Sequence, residues 1–210
     1  MTDSALAHAI RLLESTPLVD GHNDLPIVIR ADAQAKGDVA AFRLDQRRNS
    51  GDTDIPRLRE GRVAAQFWAA FVPPREKNPA TFALQQIALV RRMNEIHGDV
   101  FLPALAARDV ARAFRQNKIA SFIAIENGAA IENRLDALDA SYALGVRLMM
   151  LCHNATLDWV DSATDAPRSN GLSEFGRDVI ARMNDLGMIV DCAHVSDDVM
   201  RQVLDISRSP

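Results

Sequence analysis

Five side chains that can bind a metal ion or transfer a proton stand where short apolar segments of the sequence end. His22 and Asp24 follow the apolar start of LVDGHNDLP, and Glu126 closes the apolar run of SFIAIENG. His153 ends RLMMLCH, and His194 ends MIVDCAH. Residues i and i+2 of a β-strand face the same side, so His22 and Asp24 can direct two donor atoms at one point while the residue between them turns away.

Each of these residues also has a structural explanation. Glu126 could cap a following helix. His194 could be a hydrogen-bonded histidine at the end of a strand, with Ser196 as the N-cap of the next helix. His153 could be a buried ring that bonds to a backbone carbonyl, and Asp191 could be a structural carboxylate. A single His-x-Asp pattern is weak evidence for a metal site. Packing explains each residue alone more easily than it explains metal-capable side chains at the ends of four separate segments.

Apolar segments alternate with helical patterns along the chain. Helical periodicity predicts helices at 80–97, 107–117, 132–144, 173–186 and from Ser196 to about Ser207, besides a short amphipathic helix at the amino terminus. Continuous apolar runs predict strands that are buried on both faces: TPLVDGH, GRVAAQFWAAFV, IASFIAIE, VRLMMLCH and GMIVDCAH. This order predicts a parallel α/β sheet with right-handed crossovers. In a (β/α) barrel, the carboxyl ends of such strands converge on the active site.

Length and composition favour a single domain over residues 1–210, with a long irregular insertion at about 29–62 after the first strand. The net charge of −4 provides no broad positive field for nucleic acid. We expect no membrane segment, because no apolar run approaches the ~20 residues that a membrane helix needs. Polar residues interrupt any signal-peptide core at the amino terminus, so we expect a cytoplasmic location. Cys152 and Cys192 are expected to be reduced core thiols.

The candidate donors are imidazole and carboxylate groups, which favour zinc or a similar first-row divalent ion. Cys192 lies two residues before His194 on the same predicted strand side, so a thiolate ligand is an alternative. Because a carboxylate has two oxygens, Glu126 could bridge two ions ~3.5–4 Å apart and support a bridging water that ionises near neutral pH. Metal-assisted hydrolysis of a carbonyl compound is the predicted reaction class.

Six segments of the chain resemble successive motifs of the membrane dipeptidase family, also called renal dipeptidase or peptidase family M19. The likeness spans residues 18–210 and implies a (β/α)8 TIM barrel of the metal-dependent hydrolase type. It further implies hydrolysis of dipeptides, often with a D-residue at the carboxyl-terminal position, by a metal-bridging hydroxide. The motifs are VDGHNDLP, DIPRLREGRVAAQFWAAFVP, AIENG, ALGVRLMMLCHNATLDWVDS, GLSEFGRDVIARMNDLGMIVDCAHVS and LDISRSP.

The resemblance assigns roles to the five candidate residues. His22 and Asp24 match ligands of one zinc, Glu126 matches the carboxylate that bridges two zinc ions, and His194 matches a ligand of the second zinc. His153 matches the histidine that contacts the scissile carbonyl oxygen and the tetrahedral intermediate. Glu126 and His153 are therefore the predicted catalytic residues, with His153 aimed at the charge that develops during attack.

The loop after His153 could supply a substrate pocket. Trp159 and Asp161 in LDWVDS are predicted substrate contacts, with Trp159 as an apolar wall. Packing of Trp159 onto the barrel is an equally open alternative.

Two departures from the family pattern concern the site. Where the family often reads Glu-Gly-Gly-His, this chain has Glu126, Asn127, Gly128 and Ala129, which we expect to tune substrate choice. In the family, SRSP is followed by a strand with another histidine ligand, then by a substrate-binding arginine and a proton-transfer aspartate. We therefore expect the second zinc site to lack a ligand within these residues. Five of the eight strands of a barrel are expected, as in the amino-terminal portion of a dipeptidase.

Three functions stay open from the sequence. The first is a zinc dipeptidase, and the second is another amide, lactam or lactone hydrolase of the same metal-barrel type. The third is a non-catalytic barrel fragment that acts through a partner. Expected partners are a dipeptide and either a second copy of the chain or the remaining carboxyl-terminal part of the barrel, but not nucleic acid.

Overall fold

The computed structural model describes residues 3–209, which form an α/β fold with two compact units. The first unit contains the chain up to Trp68 together with Leu89–Phe122, and the second contains Ala69–Ala88 together with the chain from Ile123 onward. The strands are β1 (Leu18–Asn23), β2 (Val63–Phe71), β3 (Phe101–Pro103), β4 (Ile119–Glu126), β5 (Val146–Met150) and β6 (Ile189–Asp191). The helices are α1 (Asp3–Ser15), α2 (Leu25–Ala31), α3 (Val39–Phe42), α4 (Ile55–Glu60), α5 (Pro79–Ile96), α6 (Ala107–Arg115), α7 (Leu135–Ala143), α8 (Glu174–Leu186) and α9 (Asp197–Ile206).

The first unit contains parallel pairs of strands around a buried indole ring. β1 pairs with β2, with Asn23 beside Trp68, and β3 pairs with the start of β4, with Phe101 beside Ile119. Trp68 is fully buried and donates its ring N–H to the Ser121 hydroxyl oxygen at 2.9 Å. Its ring also meets that of Phe101 edge to face. These contacts give Trp68 a structural role.

The second unit brings the carboxyl ends of three strands to one level. β4 pairs in parallel with β5, and β5 pairs in parallel with β6. In this register, Glu126 lies beside Met150, and Met150 lies beside Asp191. The helices α7 and α8 lie in the crossover connections that parallel pairing requires. The chain therefore leaves β4, β5 and β6 at the same edge of the sheet.

The sequence predicted all of these strands except β3. β3 has only three residues and includes Pro103, which cannot donate a backbone hydrogen bond and argued against a strand. The helix predicted at 132–144 begins later, at Leu135, because Glu132 and Asn133 have positive φ angles of 48° and 55° that an α-helix does not accommodate. The helix predicted at 173–186 is confirmed as α8, and the Ser173 hydroxyl caps it by accepting the N–H of Gly176.

The segment at 29–62 is more regular than we expected. It contains the end of α2 and the whole of α3 and α4. The Asp38 carboxylate caps α3 by accepting the N–H groups of Ala40 and Ala41, and Asp54 caps α4 by accepting that of Arg57. Aspartate at an N-cap satisfies the donors that the first helical turn leaves unpaired. Two of the Asp residues that suggested an irregular loop, Asp38 and Asp54, are therefore the N-caps of helices.

Cys152 is buried and Cys192 is half-buried, and neither forms a disulfide. No helix within residues 3–209 has the length and apolar character needed to cross a membrane. Burial raises the pKa of the Cys152 thiol to about 12. The pKa of Cys192 is raised as well, first by burial and then by the charge of Asp191. These shifts favour neutral thiols at neutral pH, as expected of core cysteines.

A buried carboxylate organises the loop between β5 and α8. Asp161 is 1% exposed and accepts the backbone N–H groups of Arg168 and Gly171, each at 2.7 Å, and of Ser169 at 3.2 Å. Burial raises the pKa of this carboxyl, but the three donors outweigh burial and leave the pKa below its ordinary value of 3.8. The ionised side chain therefore holds the loop together from within.

We predict that Asp161→Asn destabilises the fold. The amide turns a donor group toward backbone donors, so we expect the free energy of unfolding at pH 7 to fall by ~2–3 kcal/mol. Urea unfolding measures this change. The matched control is Asp158→Asn in the same loop, because Asp158 is exposed and pairs with Arg168 at the surface. We expect that variant to change stability by less than ~0.5 kcal/mol.

The same carboxyl predicts part of the acid dependence of stability. Its folded pKa lies below the unfolded value, so it stabilises the fold above that value and loses this contribution as the pH falls through the lowered pKa. As the pH is lowered from neutral to acid, the free energy of unfolding should fall less steeply in Asp161→Asn than in the unchanged chain. Identical slopes for the two proteins would contradict this role for Asp161.

Candidate metal centre

One carboxylate and two imidazoles come together at the strand ends of the second unit. Glu126 is the last residue of β4, and His153 and His194 follow the last residues of β5 and β6 in the loops that leave the sheet. Each side chain offers one donor atom, and these three atoms lie within 4.8 Å of one another. This spacing allows one first-row divalent ion to contact all three groups.

The cluster is largely withdrawn from solvent. Nε2 of His153 lies 3.5 Å from Oε1 of Glu126, and the rings of His153 and His194 are 4.2 Å apart between centroids. The Glu126 side chain is 7% exposed, and that of His153 is 16% exposed. A carboxylate in such a position needs nearby positive charge, which a metal cation or a protonated imidazole supplies.

The backbone around Glu126 is tied to the end of β2. The Glu126 carbonyl accepts the N–H of Val72 at 3.0 Å, and the Asn127 amide donates to the Val72 carbonyl at 2.8 Å. Asn127 has a φ of 93°, and its side-chain oxygen accepts the N–H of Ala129. Asparagine tolerates this region of φ better than most residues with a side chain. Asn127 thus adopts a backbone conformation that glycine adopts easily.

The predicted substrate contacts Trp159 and Asp161 are both buried, each 1% exposed. The Trp159 ring packs against Gly128, where a Cβ would lie 2.7 Å from that ring and 2.4 Å from the Leu151 carbonyl oxygen. It also meets the ring of Phe175 edge to face. These contacts favour the packing alternative for Trp159. Contact with a substrate stays a prediction for both residues.

The ring of His194 is oriented by an amide next to the other histidine. Nδ1 of His194 lies 3.0 Å from Oδ1 of Asn154. An amide oxygen only accepts, so with this orientation Nδ1 carries the proton and Nε2 keeps its lone pair for a metal ion. Such an outer hydrogen bond is the usual way in which a ligand histidine is held. No pattern in the sequence indicated this role for Asn154.

An aromatic ring covers one side of His153. The ring of Phe71, the last residue of β2, meets the imidazole of His153 edge to face, with centroids 5.0 Å apart. Phe71 was missed because an apolar residue in an apolar strand carries no chemical signal of its own. Its position at the carboxyl end of a parallel strand was the one available indication.

The first unit holds the other two candidate ligands. Nε2 of His22 and Oδ1 of Asp24 are 3.5 Å apart, and both side chains are exposed. The side chain of Asn23 between them turns to Thr53 and to the N–H of Leu25. His22 and Asp24 line a cavity of about 510 Å³ within this unit. Their donor atoms are therefore close enough to bind one ion together.

A family model and individual related proteins both match this chain and indicate dipeptidases. The family model described as "Membrane dipeptidase (Peptidase family M19)" matches residues 6–210. Dipeptidase 3 of Mus musculus is 35% identical over 209 residues, which cover 96% of this chain and 41% of that protein. Dipeptidase 3 of Rattus norvegicus is 36% identical over 210 residues, with the same two shares.

Solved structures share the fold. The probable dipeptidase PvdM from Pseudomonas aeruginosa superposes with a TM-score of 0.86 at 23% identity, covering 100% of this chain and 55% of that one. A metallo peptidase from Rhodobacter sphaeroides, liganded with a phosphinate mimic of the dipeptide L-Ala-D-Ala, superposes with a TM-score of 0.78 at 22% identity. The superposition covers 92% of this chain and 63% of that one. This likeness confirms the predicted fold class, an α/β fold of the TIM-barrel dipeptidase type.

The match to the family model extends over nearly the whole chain. The chain spans about 41% of the length of the curated relatives that it matches. The matched residues include all of the motifs quoted from the sequence, and the fold agrees with the match. The chain belongs to peptidase family M19, the membrane dipeptidase family.

Proposed function

We propose that this chain takes part in the metal-dependent hydrolysis of dipeptides. The observation that carries the proposal is the cluster of Glu126, His153 and His194, whose donor atoms lie within 4.8 Å of one another at the strand ends of a family M19 chain. Within this cluster, the Glu126 carboxylate and the His194 imidazole are the proposed ligands, and the His153 imidazole is close enough to them to contact a group bound there.

We propose zinc as the metal. Imidazole and carboxylate donors fit this ion, and the Asn154 contact leaves Nε2 of His194 available as a ligand. The family resemblance further assigns His22 and Asp24 to one ion and Glu126 to two ions as a shared ligand. A two-ion site with this ligand assignment is part of the proposal. When bound, zinc supplies Lewis-acid polarisation of a carbonyl group and acidification of water.

We assign separate tasks to the side chains around the cluster. Glu126 supplies negative charge and two oxygens from a buried strand end, where it is held by the tie to Val72. His153, half-covered by the Phe71 ring, presents an N–H group that would stabilise negative charge on the scissile carbonyl oxygen. Phe71 keeps water away from one side of that imidazole, which strengthens its interaction with charge.

The substrate proposed is a dipeptide, with a D-residue accepted at the carboxyl-terminal position. The ligand of the Rhodobacter sphaeroides relative, a phosphinate mimic of L-Ala-D-Ala, supports this choice. Hydrolysis of another amide, a lactam or a lactone is the alternative that a substrate panel would separate. A homodimer and a cytoplasmic location, both expected from the sequence, stay predictions.

We predict that Glu126→Gln weakens zinc binding by about tenfold or more, because an amide is a poor ligand and cannot balance the ion's charge. Zinc per chain, measured by elemental analysis after dialysis against graded free zinc, gives the affinity. Glu174→Gln is the matched control, since Glu174 is exposed in the first turn of α8. Equal zinc affinities in both variants and the unchanged chain would support the non-catalytic alternative.

We predict that His153→Ala lowers kcat for L-Ala-D-Ala by about 10²-fold or more while bound zinc stays near its original level. Removal of an oxyanion donor affects the transition state and not the ligand set. The assay uses the native assembly, with His8→Ala on exposed α1 as the control. A parallel fall in zinc content would show that His153 is a ligand, and an unchanged kcat would exclude both roles.

A further inference from the structure

A serine in the loop after β5 contacts the backbone of both histidines of the metal centre. The Ser162 hydroxyl oxygen lies 2.7 Å from the carbonyl oxygen of His153 and 3.3 Å from that of His194. Ser162 is 3% exposed, so water does not compete freely for these contacts. A hydroxyl group has one proton, so it donates through the shorter contact while the second carbonyl lies within reach of the same proton.

The backbone next to this hydroxyl completes the link to His194. The N–H of Ala163 donates to the His194 carbonyl at 2.9 Å, and Ser162 forms an antiparallel bridge with Val195. The N–H of Ser162 donates to the hydroxyl oxygen of Thr156 at 3.0 Å. Ser162 is therefore fixed through its own backbone before its side chain contacts either histidine.

His194 needs such support because its backbone is strained. Its φ is 67°, in the left-handed region that residues with a side chain rarely adopt. A conformation of this kind persists where the surroundings hold it, and it is frequent at functional sites. The carbonyl of His194 is held by Ser162 and Ala163, and its ring is held by Asn154. All of these contacts come from the single loop that also carries His153.

We propose that Ser162 is a positioning residue of the metal centre, which sets the separation of His153 and His194 through their carbonyl groups. The inference rests on the proposed function, because it concerns the same site. Its hydroxyl group is directed at the two carbonyl oxygens, so Ser162 acts through the two histidines. Side chains of a catalytic site must be held within about 0.5 Å of their productive positions, so a backbone link between the two histidine loops affects metal binding and the placement of His153.

The test measures ring geometry and metal binding separately. Imidazole ¹H–¹⁵N NMR spectra of the purified chain before metal addition report the surroundings of both rings. Titration with Co²⁺ alone then gives an affinity and a visible absorption spectrum. For Ser162→Ala we expect shifted ring signals of both histidines, Co²⁺ affinity weaker by about tenfold or more and an altered visible spectrum. Ser162→Thr keeps the hydroxyl group and should restore most of the affinity.

Ser121→Ala is the matched control. Ser121 is 2% exposed and accepts the Trp68 ring N–H in the first unit, so its loss lowers stability without touching the histidines. We expect its histidine signals and Co²⁺ affinity to match those of the unchanged chain. If Ser162→Ala does not fold, Thr156→Val offers a second route, because it removes the acceptor of the Ser162 N–H.

The outcomes separate this inference from the proposed function. Unshifted histidine rings in Ser162→Ala, or in Thr156→Val where that variant is used, overturn the positioning role. Equal losses of Co²⁺ affinity in Ser162→Ala and Ser121→Ala overturn it too, since they show a general loss of stability. Shifted rings in a protein whose unchanged form binds no Co²⁺ support the positioning role and contradict the proposed metal chemistry.

Discussion

The candidate site depends first on the parallel register of β4, β5 and β6. Glu126, Met150 and Asp191 lie side by side, so the chain leaves all three strands at one level. Strand pairing therefore brings together side chains from distant parts of the sequence, and contacts among these side chains are not needed for it. The sheet brings the carboxylate directly to this edge because Glu126 is a strand residue. The two histidines follow the strand ends, and their loops must complete the arrangement.

The loop after β5 completes it with buried polar groups. Asp161 gathers backbone N–H groups from its own loop, and Ser162 contacts the carbonyl groups of His153 and His194. A buried carboxylate or hydroxyl would be costly without these partners. With them, each group fixes a segment that has little regular structure. A rigid site loses less conformational entropy when an ion binds, because its ligands are already ordered. Asp161 and Ser162 would therefore favour metal binding by holding the loop in place.

The sequence predicted most of the regular strands and helices, and it missed features that depend on single side-chain contacts. Apolar runs identified the long strands, and the chemistry of His153 and Glu126 at their ends predicted the cluster. The caps of α3 and α4 were missed within a polar segment that resembled a loop. Asn154 and Ser162 were not assigned to the metal centre, because their role depends on residues about 40 and 32 positions away along the chain. Periodicity contains no information about such pairs.

The residues after Glu126 connect two strand ends of the second unit. Gly128 has no room for a side chain, because a Cβ there would collide with the Leu151 carbonyl and the Trp159 ring. Position 127 has that room, and its asparagine keeps a positive φ while its amide bonds to Val72. Val72 follows Phe71, whose ring covers one side of His153. The Asn127 amide thus links the strand end that carries the carboxylate to the strand end that shields the imidazole. We expect the residues after Glu126 to influence substrate choice from this side of the candidate metal centre.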